Sequence, residues 1–187
     1  MSMRKPEILC IAGPNGSGKS TITCNILPYA HGKYINADEI QKVTFCSSLE
    51  AAQRAEMLRE NCLKNKEDFV FETVLSTERN LNLLKRAKEQ GYFIRCVFVL
   101  TCNPEINVSR VRNRVLTGGH DVPVEKIISR YKRSLDMLKE LIPICDRLSI
   151  YDNSKEIYRI YKKKNDDESF WENKYWNQEQ IKKLTKY

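Results

Sequence analysis

A glycine-rich loop near the start of the chain has residue types and spacing suited to binding phosphate. Residues 13–20 read Gly-Pro-Asn-Gly-Ser-Gly-Lys-Ser, which fits G-x-x-x-x-G-K-[ST]. Glycines let successive backbone N–H groups turn toward phosphate oxygens, and a helix that begins there adds its positive dipole end. In such a loop the lysine reaches the β- and γ-phosphates and the last hydroxyl holds Mg²⁺. The loop therefore predicts a site for a nucleoside triphosphate such as ATP, with Mg²⁺.

The residues on either side of this loop provide the setting that the motif requires. Residues 8–12 form a short apolar run typical of a buried strand, and residues 20–27 can continue as a helix. We assign nucleotide contacts to the whole loop and the next residue, with Ser20 also as the metal ligand. The assigned residues are Gly13, Pro14, Asn15, Gly16, Ser17, Gly18, Lys19, Ser20 and Thr21.

Two further apolar segments are each followed by acidic or hydroxyl side chains. Residues 33–37 predict a strand that leads to Asp38, and residues 69–71 predict one that leads to Glu72 and Thr73. Ligands of parallel α/β sheets lie beyond the carboxyl ends of strands, so we expect these side chains to face the phosphate loop. Asp38 fits a general base and equally a helix N-cap. Glu72 fits a group that binds Mg²⁺ through water or a substrate hydroxyl, and also an ordinary surface acid.

Arginines follow on a predicted helix pair in the second half of the chain. Arg110 and Arg114 are four residues apart and share one helix face, and Arg130 lies on the next helix. A Gly-Gly turn separates the helices. Arginines beside such a turn predict a mobile lid, at about residues 104–135, that closes over phosphates. The alternative is a solvated basic helix face.

Two weaker candidates lie in turns. His120, in Gly-Gly-His-Asp, fits a phosphate donor or a general base, and also a residue that caps the turn. Asn153 follows the predicted strand at residues 147–151, where an adenine ring can meet an amide. The same Asp-Asn-Ser sequence also suits an ordinary turn.

The alternation of strands and helices predicts the α/β class. We expect one domain of 187 residues with a mostly parallel sheet of five or six strands, flanked by helices. The other predicted elements are helices at 47–66, 77–90, 103–116 and 124–141 and a strand at 92–100.

The last part of the chain, residues 157–187, differs in composition and is predicted as an appendage. It is rich in lysine, asparagine and aromatic residues. We predict an edge strand at 157–162 and a short helix at 178–184. Trp171 and Trp176 are more typical of packing residues than of a platform for nucleic-acid bases.

Composition excludes several classes of protein. An apolar content of 41% argues against disorder, and no run of about 18 apolar residues predicts a membrane span. The phosphate loop starts too near the N-terminus to leave room for a signal peptide. Seven cysteines without a C-x-x-C pair, two of them (Cys10 and Cys96) in apolar strands, predict buried thiols in a reducing cytoplasm rather than disulfides or a zinc site.

Together, these motifs resemble the zeta-toxin-like kinases, in the branch of predicted ABC-type ATPases. The similarity comprises the phosphate loop with its threonine, Asn-Ala-Asp-Glu-Ile, Phe-Glu-Thr with Leu-Ser-Thr after it, and Tyr-Asp-Asn-Ser. It also includes Arg-Val-Arg-Asn-Arg-Val-Leu-Thr-Gly-Gly-His-Asp-Val-Pro and Ile-Ile-Ser-Arg-Tyr. These segments occur in family order between residues 13 and 154, and the Gly-Gly-His-Asp-Val-Pro block is the most specific.

The resemblance implies a P-loop kinase fold and a reaction. ATP would phosphorylate a sugar hydroxyl of a UDP-activated amino sugar such as UDP-N-acetylglucosamine, and a small antitoxin protein is an expected partner. By position, Asp38 matches the base that takes the hydroxyl proton, and Arg114 matches a transition-state arginine. The other matched residues are Lys19 and Ser20 for ATP and Mg²⁺, Glu72 and Thr73 for the substrate (with His120 as a third candidate), and Arg110 and Arg130 in the lid.

Two other functions stay open on the residues alone. The net charge of +8 and the aromatic tail also suit a kinase that acts on nucleic-acid ends. A nucleotide-dependent switch with a protein partner is the second. Arginines placed to neutralise charge during transfer argue against the switch. We do not expect nucleic acid or membrane as partners.

Overall fold

The computed structural model describes residues 4–119 and 121–186, in which seven strands form one sheet. Its order is β2-β3-β1-β4-β5-β6-β7. The strands are β1 (Glu7–Ala12), β2 (Lys33–Ile35), β3 (Phe69–Thr73), β4 (Phe93–Leu100), β5 (Arg147–Asp152), β6 (Tyr158–Lys164) and β7 (Asp167–Phe170). Strands β1 to β5 are parallel, and the hairpin β6–β7 is antiparallel. The predicted α/β class with a mostly parallel sheet is confirmed, with one strand more than expected.

The additional strand, β7, comes from an acidic segment that the composition does not identify as a strand. Asn165 has φ 53°, in the left-handed region that asparagine tolerates better than most residues, and this makes a tight turn. The Tyr161 hydroxyl donates to Glu168 Oε1 at 2.7 Å, and the Tyr161 ring meets Phe170 edge-on. These cross-strand contacts fix the hairpin, and none of them follows from hydrophobic alternation.

Four of the seven α-helices in the described residues begin at a residue whose side chain caps them. The seven helices are α1 (Lys19–Ile26), α2 (Ala37–Thr44), α3 (Ser48–Asn65), α4 (Glu78–Glu89), α5 (Pro104–Leu116), α6 (Val124–Ile144) and α7 (Gln178–Thr185). Ser47 and Glu50 form the predicted capping box of α3. The strand expected at residues 33–37 ends at Ile35 instead, because Asn36 caps α2 with its side chain.

The sheet is buried on both faces. Along β1, Ile8 and Cys10 belong to a large cluster with side chains of α3, α4, α6 and α7, whereas Leu9 and Ile11 belong to a smaller cluster with Ile22 of α1. Parallel sheets are stable when both faces are covered in this way. The central strands are thereby fixed, and their carboxyl ends meet at one edge.

The two cysteines of apolar strands and one tail tryptophan pack as the sequence predicts. Cys10 and Cys96 are buried, whereas Cys24 is exposed. Trp176 packs against the large cluster, and the Arg159 guanidinium lies 4.8 Å from the centre of the Trp171 ring. Among residues 4–119 and 121–186, every helix is too short or too polar to cross a membrane.

Candidate active site

A cleft of about 490 Å³ opens between the phosphate loop, the starts of α1 and α2, the end of β3, and the helix pair α5–α6. Most of the predicted site residues line it: Asn15, Gly16, Gly18, Lys19, Ser20, Thr21, Asp38, Glu72, Thr73, Arg110, Arg114 and Arg130. Gly13, Pro14, Ser17 and Asn153 are outside the lining of this cleft. His120 lies outside the described residues.

The phosphate loop has a backbone path that only glycine permits at two positions. Gly16 and Gly18 have φ of 75° and 95°, in the left-handed region. A Cβ at Gly16 would lie 2.5 Å from the Asn107 carbonyl oxygen, and one at Gly18 would lie 2.2 Å from Asn153 Nδ2. The loop is therefore enclosed by neighbouring residues as well as by its own turns.

Side-chain amides hold the phosphate loop from outside. Asn107 Nδ2 donates to the Asn15 carbonyl at 2.6 Å, and Asn153 Nδ2 donates to the Ser17 carbonyl at 2.8 Å. Asn107 is fully buried on α5, and its Oδ1 accepts from the Thr101 hydroxyl. The loop is therefore supported by α5 and by the turn after β5. Asn107 has no motif of its own, and sequence analysis does not identify it.

Lys19 lies at the start of α1 with its ammonium against the loop. Its Nζ donates to the carbonyl oxygens of Gly13 at 2.8 Å and Pro14 at 3.0 Å. Burial lowers the pKa of Lys19 to about 8, against the opposing effect of the Glu72 and Asp38 carboxylates; the Arg114 cation lowers it further. The pKa of Lys19 therefore depends on charged side chains of α2, β3 and α5.

Asp38 is in the first turn of α2, on the wall opposite the phosphate loop. Its backbone N–H donates to Asn36 Oδ1 at 2.8 Å, so Asn36 is the residue that caps the helix. The alternative that Asp38 itself caps a helix is wrong. The Asp38 side chain is exposed and lines the cleft, where it can meet a ligand.

Glu72 and Thr73 end β3 beside Asp38. Glu72 Oε1 accepts from the Tyr34 hydroxyl at 2.8 Å. The Thr73 hydroxyl accepts from the Leu75 N–H and from Asn80 Nδ2, each at 2.9 Å. Tyr34 is absent from the predicted site. Tyr34 and Asn36 are two residues apart, and side chains at that spacing point to the same side of a strand. This spacing is the signal that could have placed Tyr34 near the site.

Three arginines, on helices α5 and α6, also line the cleft. Arg110 Nη2 donates to the Ser154 carbonyl at 3.3 Å, whereas its Nη1 is buried without a hydrogen-bond partner among the described residues. Arg130 Nη1 donates to Asn15 Oδ1 at 3.4 Å. A Cβ at Gly119 would lie 2.4 Å from Arg114 Cγ, so the Gly-Gly turn packs closely on that side chain. The arginines thus come from two helices and line one cleft, where an anion could bind between them.

The donor set of the cleft suits Mg²⁺ better than a transition metal. Ser20 presents a hydroxyl, and the Asp38 and Glu72 carboxylates line the same cleft. Hard cations prefer such oxygen ligands, and Mg²⁺ in nucleotide sites takes few of them from protein.

The family of the chain follows from a match to the sequence model of the family described as "Zeta toxin". This match covers residues 31–166, more than half of the chain. The chain belongs to the zeta toxin family. The match begins after the phosphate loop, which is identified by its own motif and geometry. It includes Asp38, Glu72 and all three arginines of the cleft, and the predicted resemblance is confirmed.

Individual proteins are also similar to this chain in sequence or in structure. An uncharacterised protein of Haemophilus influenzae is 27% identical over 133 residues, which are 64% of this chain and 88% of that protein. The structure of AvrRxo1-ORF1:-ORF2 with ATP superposes with TM-score 0.74 at 17% identity, over 98% of this chain and 64% of that one. This chain therefore spans about 64% of the length of that neighbour.

A third similar protein is in the PezAT toxin–antitoxin system of Streptococcus pneumoniae. It superposes with TM-score 0.57 at 20% identity, over 85% of this chain and 73% of that one. At these identities the two structural neighbours bear on the fold alone, and the predicted P-loop kinase fold is confirmed.

Proposed function

We propose that this protein transfers the γ-phosphoryl group of ATP to a hydroxyl of a UDP-activated amino sugar, with UDP-N-acetylglucosamine as the first candidate. The observation that carries the proposal is that one cleft joins a phosphate loop with Lys19, the Asp38 carboxylate and three arginines. The structural neighbour solved with ATP supports the choice of donor. The choice of a nucleotide sugar rests on the family resemblance of Asp38, Glu72 and Thr73.

On the donor side, backbone N–H groups of the phosphate loop and the positive end of α1 bind the phosphates. Lys19 exchanges the Gly13 and Pro14 carbonyl oxygens for phosphate oxygens, which are charged and therefore stronger acceptors. Ser20 would hold Mg²⁺, and the ion would neutralise phosphate charge. Amide support from Asn107 and Asn153 keeps the loop in shape before the nucleotide arrives.

On the acceptor side, Asp38 takes the proton of the attacking hydroxyl. The hydroxyl oxygen forms a bond to the γ-phosphorus, the bond from that phosphorus to the bridging oxygen breaks, and ADP leaves with the electron pair. Glu72 and Thr73, and His120 as a further candidate, bind the rest of the acceptor. Positioning and proton removal of this kind typically contribute about 10²–10⁴-fold to the rate.

Arg114, Arg110 and Arg130 stabilise the charge on the moving phosphoryl group. Arg110 Nη1, buried and without a partner among the described residues, is the donor that gains most from an anion beside it. The helix pair that carries the three residues, about residues 104–135, acts as a lid that closes over the phosphates. Asn153, beside the loop, is the candidate for the adenine edge.

The activity is tested by incubating the purified protein with ATP, Mg²⁺ and a bacterial metabolite extract. Mass spectrometry should find a UDP-sugar that gains one phosphate, and purified UDP-N-acetylglucosamine should react alone. A Lys19→Ala protein controls for contaminating kinases. If another class of metabolite gains the phosphate, the UDP-sugar is not the acceptor. If 5′-hydroxyl oligonucleotides are phosphorylated instead, the acceptor is a nucleic-acid end.

The biological role that we propose is that of the toxin in a toxin–antitoxin pair. The structural neighbours come from AvrRxo1-ORF1:-ORF2 and from PezAT, a toxin–antitoxin system, and this supports a small antitoxin as the partner. We expect the antitoxin to cover the nucleotide cleft. Induced expression in a bacterium should stop growth, and Lys19→Ala should abolish the effect; normal growth with active enzyme would exclude toxicity in that host.

A further inference from the structure

A continuous chain of hydrogen bonds joins the two acidic residues of the acceptor side. Glu72 Oε1 accepts from the Tyr34 hydroxyl at 2.8 Å, and that hydroxyl oxygen accepts from Asn36 Nδ2 at 2.7 Å. Asn36 Oδ1 in turn accepts from the Asp38 N–H at 2.8 Å. Three bonds therefore connect the backbone of Asp38 to the Glu72 carboxylate.

The direction of each bond follows from proton counting. An ionised carboxylate only accepts, and a tyrosine hydroxyl has one proton, so Tyr34 donates to Glu72. Its oxygen then accepts from the amide N–H of Asn36. This orientation turns Asn36 Oδ1 toward the Asp38 N–H, where it caps α2. One hydroxyl group thus determines the orientation of a carboxylate and of a helix cap.

The surroundings of Tyr34 keep this hydroxyl protonated and its ring in place. The ring packs against the smaller cluster under the sheet, and the residue is half-buried on β2. Burial, together with the nearby Glu72 carboxylate, raises the pKa of Tyr34 well above its ordinary value, although the Asn36 amide acts in the opposite direction. The group therefore donates throughout the physiological pH range.

Tyr34 makes its hydrogen bonds to Glu72 and Asn36 from behind the cleft. Asn36, Asp38 and Glu72 line the cleft, whereas Tyr34 is not part of the lining. We infer that Tyr34 is a positioning residue, which aims the Glu72 carboxylate at the acceptor. The inference rests on the proposed function. Because Glu72 is held as an acceptor, the substrate needs a second polar hydrogen near the hydroxyl that reacts.

Steady-state kinetics test this role with four proteins: wild type, Tyr34→Phe, Glu72→Gln and the double variant. Tyr34→Phe removes one oxygen and keeps the ring. A hydrogen bond to a charged group contributes about 1.5–3 kcal/mol, so we expect kcat/KM for the acceptor to fall at least about tenfold, mainly through KM. The KM for ATP should stay unchanged. In the Glu72→Gln background the second substitution should have little further effect.

Tyr151→Phe is the matched control, because Tyr151 is also half-buried and packs against the same cluster. Its kinetics should match the wild type. Equal losses in Tyr34→Phe and Tyr151→Phe would show a packing effect and overturn the inference. So would a loss from Tyr34→Phe that is equally large in the Glu72→Gln background, since Tyr34 would then act independently of Glu72.

A measurement without substrate separates this inference from the proposed function. With tyrosine labelled at ¹³Cζ, NMR at neutral pH detects the hydrogen bond that the Tyr34 hydroxyl donates. The Tyr34 signal should shift in Glu72→Gln, because a charged acceptor is replaced by a neutral one. An unchanged Tyr34 signal would overturn the inference. A shifted signal in a protein that phosphorylates no UDP-sugar would support the Tyr34–Glu72 contact and reject only the substrate.

Discussion

The two walls of the cleft are built in different ways. The donor wall is a continuous segment, residues 13–20, whose backbone forms the site, and side-chain amides of other elements hold it. The acceptor wall consists of side chains from separate elements, with Asp38 on α2 and Glu72 on β3, and Tyr34 on β2 supports Glu72 from behind. The first recognises what all nucleoside triphosphates share. The second depends on how individual side chains are aimed.

This difference separates binding from specificity. A backbone cradle of N–H groups binds a triphosphate whatever the acceptor is, so it leaves the choice of reaction open. A substitution on the acceptor wall should change transfer and leave ATP binding intact. A substitution on the donor wall should change ATP binding first.

The largest effect is expected from Asp38→Asn, which keeps the shape of the side chain and removes the base. We expect kcat to fall by about 10²–10⁴ with the affinity for ATP unchanged, because the phosphates are held on the other wall. Calorimetry with ATP and a kinase assay measure the two quantities. Glu39→Gln is the control, since Glu39 is adjacent but forms an exposed ion pair with Lys42 at 2.8 Å. Near-normal turnover of Asp38→Asn would show that the base is elsewhere.

Gly16→Ala should disrupt the donor wall. The new Cβ would lie 2.5 Å from the Asn107 carbonyl oxygen, and overpacking of this kind costs about 1–3 kcal/mol. If the loop moves to relieve the contact, the affinity for ATP should fall by about 10- to 100-fold.

Gly91→Ala controls for backbone strain in that comparison. Gly91 has φ 85°, close to the 75° of Gly16, but nothing lies within 4 Å of its Cβ position. Gly91→Ala should lose only the stability that backbone strain costs, Gly16→Ala should lose more because of the contact with Asn107, and only Gly16→Ala should bind ATP weakly. Equal ATP affinities would mean that the contact with Asn107 does not set the shape of the loop.

Asn107→Ala tests whether α5 supports the phosphate loop. It removes the amide that donates to the Asn15 carbonyl, and a carbonyl left without its donor costs about 1–3 kcal/mol of unfolding free energy. We expect the affinity for ATP to fall about tenfold. Asn103→Ala, on the same helix, removes only the cap on the Glu105 N–H, at about 1 kcal/mol. If both variants bind ATP equally well, the amide support is not needed for binding.

The smallest effect is a proton taken up when ATP binds. The pKa of Lys19 is about 8 without nucleotide, so at about pH 9 most of the ammonium is neutral. Phosphate charge raises that pKa, and binding at about pH 9 should take up close to one proton, with much less uptake at about pH 7. Calorimetry in buffers of different ionisation enthalpy measures this. Lys19→Arg, which stays charged, should take up none; similar uptake there would assign the proton to another group.

Much of the fold follows from local sequence. The apolar runs predict β1, β3, β4 and β5, and capping residues predict the starts of α3 and α5. Helix α2 and strand β7 are the elements that local patterns miss. The first depends on the side chain of Asn36, and the second depends on a turn at Asn165 and on cross-strand contacts with Tyr161. Such contacts carry no periodic signal.

The sequence by itself determined the phosphate loop and the set of residues around it, because a motif of adjacent glycines acts through its own backbone. Its order of strands and helices also sufficed for the α/β class. Only the tertiary structure decided that Asn36 rather than Asp38 caps α2, that Tyr34 bonds to Glu72, and that Asn107 supports Asn15. The last two contacts join residues on different elements, 38 and 92 positions apart, and hydrogen bonds depend on distances that spacing along the chain does not fix.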